Sequence, residues 1–86
     1  MKKIIAMIRP FDLDQILMVY EDGNKIDMIN SKLENLNDNI FALMEKYNVY
    51  QLDLTGPKKY VKGLKNQIDK DFVTKYSDKK IEINII

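Results

Sequence analysis

A strand, a tight turn and the start of a helix follow one another in Val49–Lys62, and this order constrains the fold more than any other feature of the sequence. Side chains alternate between the two faces of a strand, so Gln51 and Asp53 point away from the face that carries Leu52. A glycine and a proline then turn the chain, and proline is favoured at the first helical position. A strand that leads directly into a helix is half of the βαβ unit of parallel sheets, so the segment predicts an α/β fold.

Two further segments have the composition of strands. Ile4–Ile8 is a continuous apolar run that ends before Pro10, which is typical of a strand buried on both faces. Lys80–Ile86 alternates apolar and polar residues, with Glu82 and Asn84 on the face opposite three isoleucines. We expect the first of these to be the central strand and the second to be the last strand of the sheet.

The segment Asp12–Tyr20 admits two interpretations. Its apolar residues have helical spacing, and Gly23 has the place of a helix C-cap. Asp22-Gly23, however, is the strongest short signal for a hairpin, because a type I′ turn needs positive φ at both central residues. The turn signal favours a hairpin of Gln15–Glu21 with Lys25–Asn30, and the helix stays open as the alternative.

The next segment predicts an amphipathic helix. Ser31 and Glu34 have the spacing of a capping box, which places the start of the helix at Ser31. Asn48 suits a left-handed C-cap at its end. Between them runs an apolar stripe of Leu33, Leu36, Ile40, Leu43, Met44 and Tyr47.

A second helix is predicted to begin at Pro57. Its apolar stripe comprises Tyr60, Val61, Leu64 and Ile68. Gly63 weakens this helix by up to about 1 kcal/mol relative to alanine. We expect it to fray in Asp69–Asp71, with Phe72 and Val73 anchoring an irregular return to the last strand.

These elements form a single domain, residues 1–86, with the order βββαβαβ. Hairpin strands pair with their neighbours and parallel crossovers are right-handed, so we predict a mixed sheet of five strands in the order 3-2-1-4-5. Both crossovers move the same way across the sheet, which places both helices on one face. This α/β (α+β) arrangement resembles the topology of the ribonuclease H-like core over most of the chain.

Composition excludes several kinds of chemistry. The sequence has no cysteine and no histidine, which removes disulfides, thiolates, the commonest general base and the usual zinc ligands. The net charge of +1 gives no whole-molecule field that would attract nucleic acid or membranes. No segment approaches the ~20 apolar residues of a membrane span. We expect a cytoplasmic protein that has no membrane contact, no cofactor and no metal.

The ribonuclease H-like resemblance implies one catalytic hypothesis, a divergent metal-dependent nuclease. Nucleases of this kind hold two magnesium ions with acids on the first strand, the first helix and the fourth strand. Asp53 matches the strand-four position and Glu34 loosely matches the helix position. The first strand has no acid, because Asp12 and Asp14 follow Pro10. The sequence therefore favours a protein that is not an enzyme over a nuclease. The alternative role for Asp53 is that it is half-exposed or pairs with a neighbouring lysine.

The turn into the second helix is a candidate site for phosphate or nucleic acid. A strand-to-helix turn presents free backbone N–H groups and the positive end of the helix dipole, and a glycine there lets a ligand approach closely. The lysines that follow add charge, and residues three and four apart share one helical face. The candidate residues are Thr55, Gly56, Lys58, Lys59, Lys62 and Lys65. The alternative is an ordinary turn with solvated lysines.

The sheet face away from both helices is predicted to have no cover from this chain. Apolar residues of Ile4–Ile8 and Ile16–Tyr20 point to it, and Gln51 and Asp53 lie near its centre. An uncovered apolar face indicates self-association or a protein partner. We therefore expect a non-enzymatic interaction or regulatory module that forms a homodimer or a larger homo-oligomer. Binding of nucleic acid or phosphate through Thr55–Lys65 is the alternative.

Three stretches, Ile8–Gln15, Tyr20–Ile26 and Asp53–Tyr60, make the chain similar to small uncharacterised proteins carried by phages and prophages of Gram-positive bacteria. The richness in lysine, isoleucine and asparagine is in keeping with that origin. The resemblance spans the whole chain and implies an accessory or regulatory role in phage biology. It brings no assigned activity to transfer.

Overall fold

The computed structural model describes residues 1–86 as five strands in one sheet with two α-helices. The strands are β1 (Lys2–Met7), β2 (Asp14–Glu21), β3 (Asn24–Lys32), β4 (Gln51–Thr55) and β5 (Glu82–Ile85). The helices are α1 (Leu36–Tyr47) and α2 (Lys58–Lys75), and a 3₁₀ turn, Leu33–Asn35, precedes α1. The strands lie in the order β3-β2-β1-β4-β5. The predicted α+β class, strand order and number of helices are confirmed.

The sheet is antiparallel on one side of β1 and parallel on the other. β2 runs antiparallel to both β1 and β3, whereas β4 runs parallel to both β1 and β5. Parallel strands need a crossover connection: α1 carries the chain from β3 past β2 and β1 to β4, and α2 carries it from β4 to β5. β1 is therefore the central strand, as predicted.

A hairpin, and not a helix, forms over the ambiguous segment. Asp22 (φ 52°) and Gly23 (φ 84°) both have positive φ, as a type I′ turn requires. A bulge places Ile26 outside the register, since Val19 is opposite Asp27 and Tyr20 is opposite Lys25. The preference for a hairpin is confirmed, and β3 continues two residues beyond its predicted end to Lys32.

Both helices cover the same face of the sheet. α1 contacts β1, β2 and β3, and α2 contacts β4 and β5. Phe41 of α1 and Phe72 of α2 lie edge to face with 6.1 Å between ring centroids, which joins the helices into one layer. The strand residues buried beneath this layer are aligned across the sheet and share one face. They include Ile4, Ala6, Leu17, Val19, Leu52 and Leu54.

The first helix begins later than predicted, and the capping box does not form. Ser31 lies in β3, where it is aligned with Gln15 of β2. Its hydroxyl donates to the Lys32 carbonyl at 3.0 Å and accepts from the Asn39 amide at 2.7 Å. Glu34 lies in the 3₁₀ turn, and no side chain caps that turn or α1. The prediction was wrong because pairing with β2 extends the strand through the residue that would have capped the helix.

The second helix is longer than predicted. It continues through Asp69–Asp71 to Lys75 without a break, and Val73 is an exposed helical residue. Phe72 is only 1% exposed, and its ring lies 6.0 Å from that of Tyr50, the residue just before β4. This tertiary packing stabilises the last turns, where local sequence preference alone predicted fraying. Pro57 is the N-cap residue and not the first helical residue.

The remaining boundaries agree closely with the sequence. Asn48 ends α1 in the left-handed conformation, with φ 53°. β5 is shorter than the predicted segment, but its alternation is as predicted, because Glu82 is aligned with Gln51 and Asn84 with Asp53. No helix has the length and apolar composition that crossing a membrane requires.

Candidate functional site

The sheet face opposite the helices, here called the open face, is a continuous surface across all five strands. Ile5 of β1 points to it and is aligned with Met18 of β2 and with Asp53 of β4. Met18 is in turn aligned with Met28 of β3. No apolar residue of this face belongs to the core cluster that the helices cover. The uncovered face predicted from the strand order is therefore present in the fold.

Six side chains form one apolar patch on the β1–β2–β3 half of the open face. This open-face cluster comprises Ile5, Met7, Ile16, Met18, Tyr20 and Met28. Met28 is 53% exposed and Met7 is 37% exposed, while the other four are half-buried by their neighbours. The cluster members shield one another, but nothing in the chain lies over them. Contiguous exposed apolar surface of this kind is typical of interaction sites.

A polar network borders the open-face cluster on the β4–β5 side. Lys3 Nζ lies 3.2 Å from Asp53 Oδ2, and the Asn84 amide donates to Asp53 Oδ1 at 3.4 Å. The Asp53 side chain is 7% exposed, whereas that of Lys3 is 42% exposed. Gln51 lies on the same face, two residues before Asp53. The charge of the buried carboxylate is therefore compensated within the chain.

The structure does not bring the two nuclease candidates together. Asp53 lies on the open face, whereas Glu34 lines a groove between α1 and α2 together with Asn37 and Asp71. No group of three acidic side chains is placed to hold a metal ion. Asp53 pairs with a neighbouring lysine instead, which is the alternative weighed against the metal site.

At the predicted anion site, Gly56 is needed because the backbone and side chain of Ile8 pack directly against it. Its φ is +149°, and a Cβ at this position would lie 2.6 Å from the Ile8 carbonyl oxygen and 3.3 Å from Val61 Cγ1. The Ile8 N–H also donates to the Thr55 carbonyl at 2.8 Å, so the residue that follows β1 packs against the turn. Ile8 therefore occupies the space that we expected a ligand to use.

The lysines after the turn differ in their partners. Lys58, Lys59 and Lys62 are exposed and take part in no ion pair. Lys65 lies 3.9 Å from Asp69, one helical turn further along α2. The first turns of α2 therefore carry three positive charges that the chain does not compensate.

The loop between β1 and β2 is a surface that sequence analysis missed. Phe11 is 99% exposed and Leu13 is 89% exposed. This loop forms one side of a crevice of about 610 Å³. The crevice is lined by Pro10, Phe11, Leu33, Pro57, Lys59 and Tyr60. The sequence did contain a signal for this surface. Phe11 lies between Pro10 and Asp12, outside every predicted strand and every apolar helix stripe, so no core contact was predicted for its ring.

A second missed contact joins α1 to β3 on the helix side. The Tyr47 hydroxyl donates a short hydrogen bond to Asp27 Oδ2, and Lys46 Nζ lies 3.6 Å from the same oxygen. This hydrogen bond lowers the pKa of Asp27 below its ordinary 3.8 and raises the pKa of Tyr47 above its ordinary 10.0. Neither residue had a partner predicted, because the contact links segments twenty residues apart.

No protein-family model matches the chain, and no curated protein matches it. Among solved structures, the crystal structure of Archaeoglobus fulgidus Pelota is similar to it, with 13% sequence identity and a TM-score of 0.56. The match covers 99% of this chain and 26% of the Pelota chain, so this chain spans about a quarter of that protein. Identity at this level shows a shared fold and nothing further.

Proposed function

We propose that this protein is a non-enzymatic interaction module that associates with a second copy of itself through the open face. The observation that supports this function is the open-face cluster, a contiguous apolar patch that nothing in the chain covers. The resemblance to phage-borne proteins supports an accessory or regulatory role in phage biology, within the cytoplasm of the host. Burial of the patch supplies the free energy of association.

The dimensions of the chain suit a dimer of this kind. Its Cα atoms span 32 × 30 × 21 Å, and the shortest dimension corresponds to one sheet and one helix layer. The broad face is therefore large enough for the roughly 800 Å² per partner that a standard interface buries. Two sheets stacked face to face would lie about 10 Å apart, with the apolar side chains of both filling the space between them.

The position of the cluster suggests where the two copies meet. A two-fold interface brings the same patch of both copies together, and β2 is the middle strand of the three that carry the cluster. We therefore expect Met18, near the middle of β2, to lie beside the two-fold axis of the proposed dimer. Its flexible thioether adapts to an irregular partner surface. The Tyr20 hydroxyl has only the Met18 sulfur, a weak acceptor at 3.9 Å, as a partner and remains available to a second copy.

Charge also favours a second copy over a charged partner. Lys3 already compensates Asp53 beside the open-face cluster, so covering the cluster together with this ion pair leaves the Asp53 carboxylate with its counter-ion. The net charge of +1 gives two copies little mutual repulsion. A strongly acidic or basic partner would find no matching field on this face.

Cysteine cross-linking tests the proposed geometry, because the natural chain has no cysteine. Met18→Cys is expected to form a disulfide-linked dimer under mild oxidation at micromolar concentration. Val73→Cys is the matched control, since Val73 is 68% exposed on α2, away from the open face, and is expected to cross-link far more slowly. Equal rates for the two variants would contradict an interface centred on Met18.

A further inference from the structure

The crevice between the ends of β1 and β4 lies where open α/β sheets bind ligands. β1 and β4 are parallel neighbours, but β1 connects to β2 on one side and β4 leads through α2 to β5 on the other. Ligands of such sheets bind outside the carboxyl ends of the strands at this switch point. Residues just after β1, β3 and β4 line the crevice there, and they include Phe11, Leu33 and Tyr60.

Aromatic rings are exposed on both sides of this crevice. Phe11, in the loop between β1 and β2, is 99% exposed, and Tyr60, in the first turn of α2, is 38% exposed. The Phe11 ring is not part of the core, so it buries no apolar surface when the chain folds. Exposed aromatic faces beside a groove are the platform on which unpaired bases stack, with little dependence on base identity.

Positive charge adjoins the same crevice. Lys59 lines it, and Lys58 and Lys62 flank Lys59 on the first turns of α2 without any acidic partner. Acidic side chains, Glu34 and Asp38, line the neighbouring groove between the helices. Phosphates would therefore follow the lysines of α2 and avoid the side of α1.

We propose that this crevice binds single-stranded nucleic acid. Phe11 and Tyr60 stack the bases, and Lys58, Lys59 and Lys62 hold the phosphates. A single strand is favoured over a duplex because stacking on a side chain needs an unpaired base. The site uses none of the open-face cluster, so it is independent of the association proposed above.

Fluorescence anisotropy with labelled oligothymidylate and oligouridylate of about ten nucleotides tests this site. We expect the intact chain to bind at least one of them, with an affinity that falls as salt rises. Phe11→Ala is expected to weaken binding roughly 5- to 150-fold, the range for loss of one stacked base. Phe11→Tyr is expected to keep the affinity, and thermal melting should be unchanged in both variants because the ring is exposed.

The lysines are tested through the salt dependence. Lys59→Ala is expected to reduce the slope of log affinity against log salt by about 0.7, the value for one phosphate contact on a single strand. Lys70→Ala removes the same charge at the other end of α2 and is expected to leave the slope unchanged. No binding of either oligonucleotide at low salt, or equal affinities of Phe11→Ala and the natural chain, would overturn the proposal.

Two competitors of the labelled oligonucleotide distinguish a single-strand site from a site for a mononucleotide or for any polyanion. Thymidine or uridine monophosphate that displaces the probe as well as an oligonucleotide would contradict a strand site. Polyglutamate that competes equally would reduce the interaction to charge alone and would also contradict it. Failure of either oligonucleotide to bind leaves the cross-linking of Met18→Cys unaffected, so the two proposals fail separately.

Discussion

The Lys3 ammonium lies 3.2 Å from the carboxylate of Asp53 on the open face, and the two partners differ sharply in exposure. Asp53 is 7% exposed and has Asn84 as its other partner, whereas Lys3 is 42% exposed. The loss of one partner is therefore not equivalent to the loss of the other. A charge left buried without its counter-ion costs more than a charge returned to water.

Lys3→Met is expected to destabilise the fold by about 1–3 kcal/mol, because Asp53 then keeps only the Asn84 amide as its partner. Asp53→Asn leaves a half-exposed lysine that water can solvate, and we expect a loss of no more than about 1 kcal/mol. Urea denaturation at neutral pH measures both. If Asp53→Asn loses more free energy of unfolding than Lys3→Met does, the unpaired buried carboxylate does not determine the loss of stability.

The two glycines near α2 predict opposite effects of the same substitution. Gly56→Ala would place a Cβ 2.6 Å from the Ile8 carbonyl oxygen at a φ of +149°, and we expect a loss of about 1–3 kcal/mol. Gly63 has nothing within 4 Å of the added Cβ, so Gly63→Ala is expected to stabilise by up to about 1 kcal/mol. Thermal and urea unfolding compare them directly. Loss of stability in Gly63→Ala would contradict the exposed helical position assigned to it.

The hydrogen bond from Tyr47 to Asp27 predicts a stability difference that depends on pH. Folding lowers the pKa of Asp27, so this contribution is present above pH 3.8 and is lost as pH falls through the lowered value. Folding raises the pKa of Tyr47, so its contribution is present below pH 10.0 and is lost as pH rises through the raised value. Tyr47→Phe is therefore expected to be less stable than the natural chain at neutral pH, with a smaller difference at both extremes.

Urea denaturation of Tyr47→Phe and the natural chain across the acid and alkaline ranges measures this difference. Asp27→Asn is the matched variant, since it removes the titrating carboxyl and keeps a similar shape. The acid limb of the difference should disappear in that background. A difference between Tyr and Phe that is constant with pH would contradict the role given to the hydrogen bond.

The open-face cluster predicts which substitution abolishes association. Met18→Glu places a carboxylate in the middle of the proposed interface, and burying it without a partner is expected to weaken association at least roughly 100-fold. Val73→Glu adds the same charge to an exposed position of α2 and should have no effect. Circular dichroism checks that both variants fold. An unchanged solution mass for Met18→Glu would exclude the open face as the interface.

Local patterns predicted most of the fold because the patterns and the tertiary structure agree. The turn signal of Asp22-Gly23 set the hairpin, and the apolar run Ile4–Ile8 identified the central strand. The hairpin, the central strand and the handedness of crossovers together predicted the strand order, and the strand order predicted the open face. Asp53 was correctly placed on that face by alternation alone.

The errors lie where distant contacts outweigh local preference. Ser31 matches a helix cap in sequence, but the register with Gln15 keeps it in β3. Phe72 follows a segment of weak helical preference, yet its contacts with Phe41 and Tyr50 hold the helix together. The crevice beside Phe11 could not be predicted from the sequence, because its walls come from a loop, the 3₁₀ turn and the start of α2, which only the folded sheet brings to one edge.

Sedimentation equilibrium of the unmodified chain tests self-association through the open face most directly. One chain has a mass of 10.1 kDa, and we predict at least twice that mass at micromolar concentrations, returning to the single-chain value in Met18→Glu. A mass of 10.1 kDa that persists to high micromolar concentration would contradict the account.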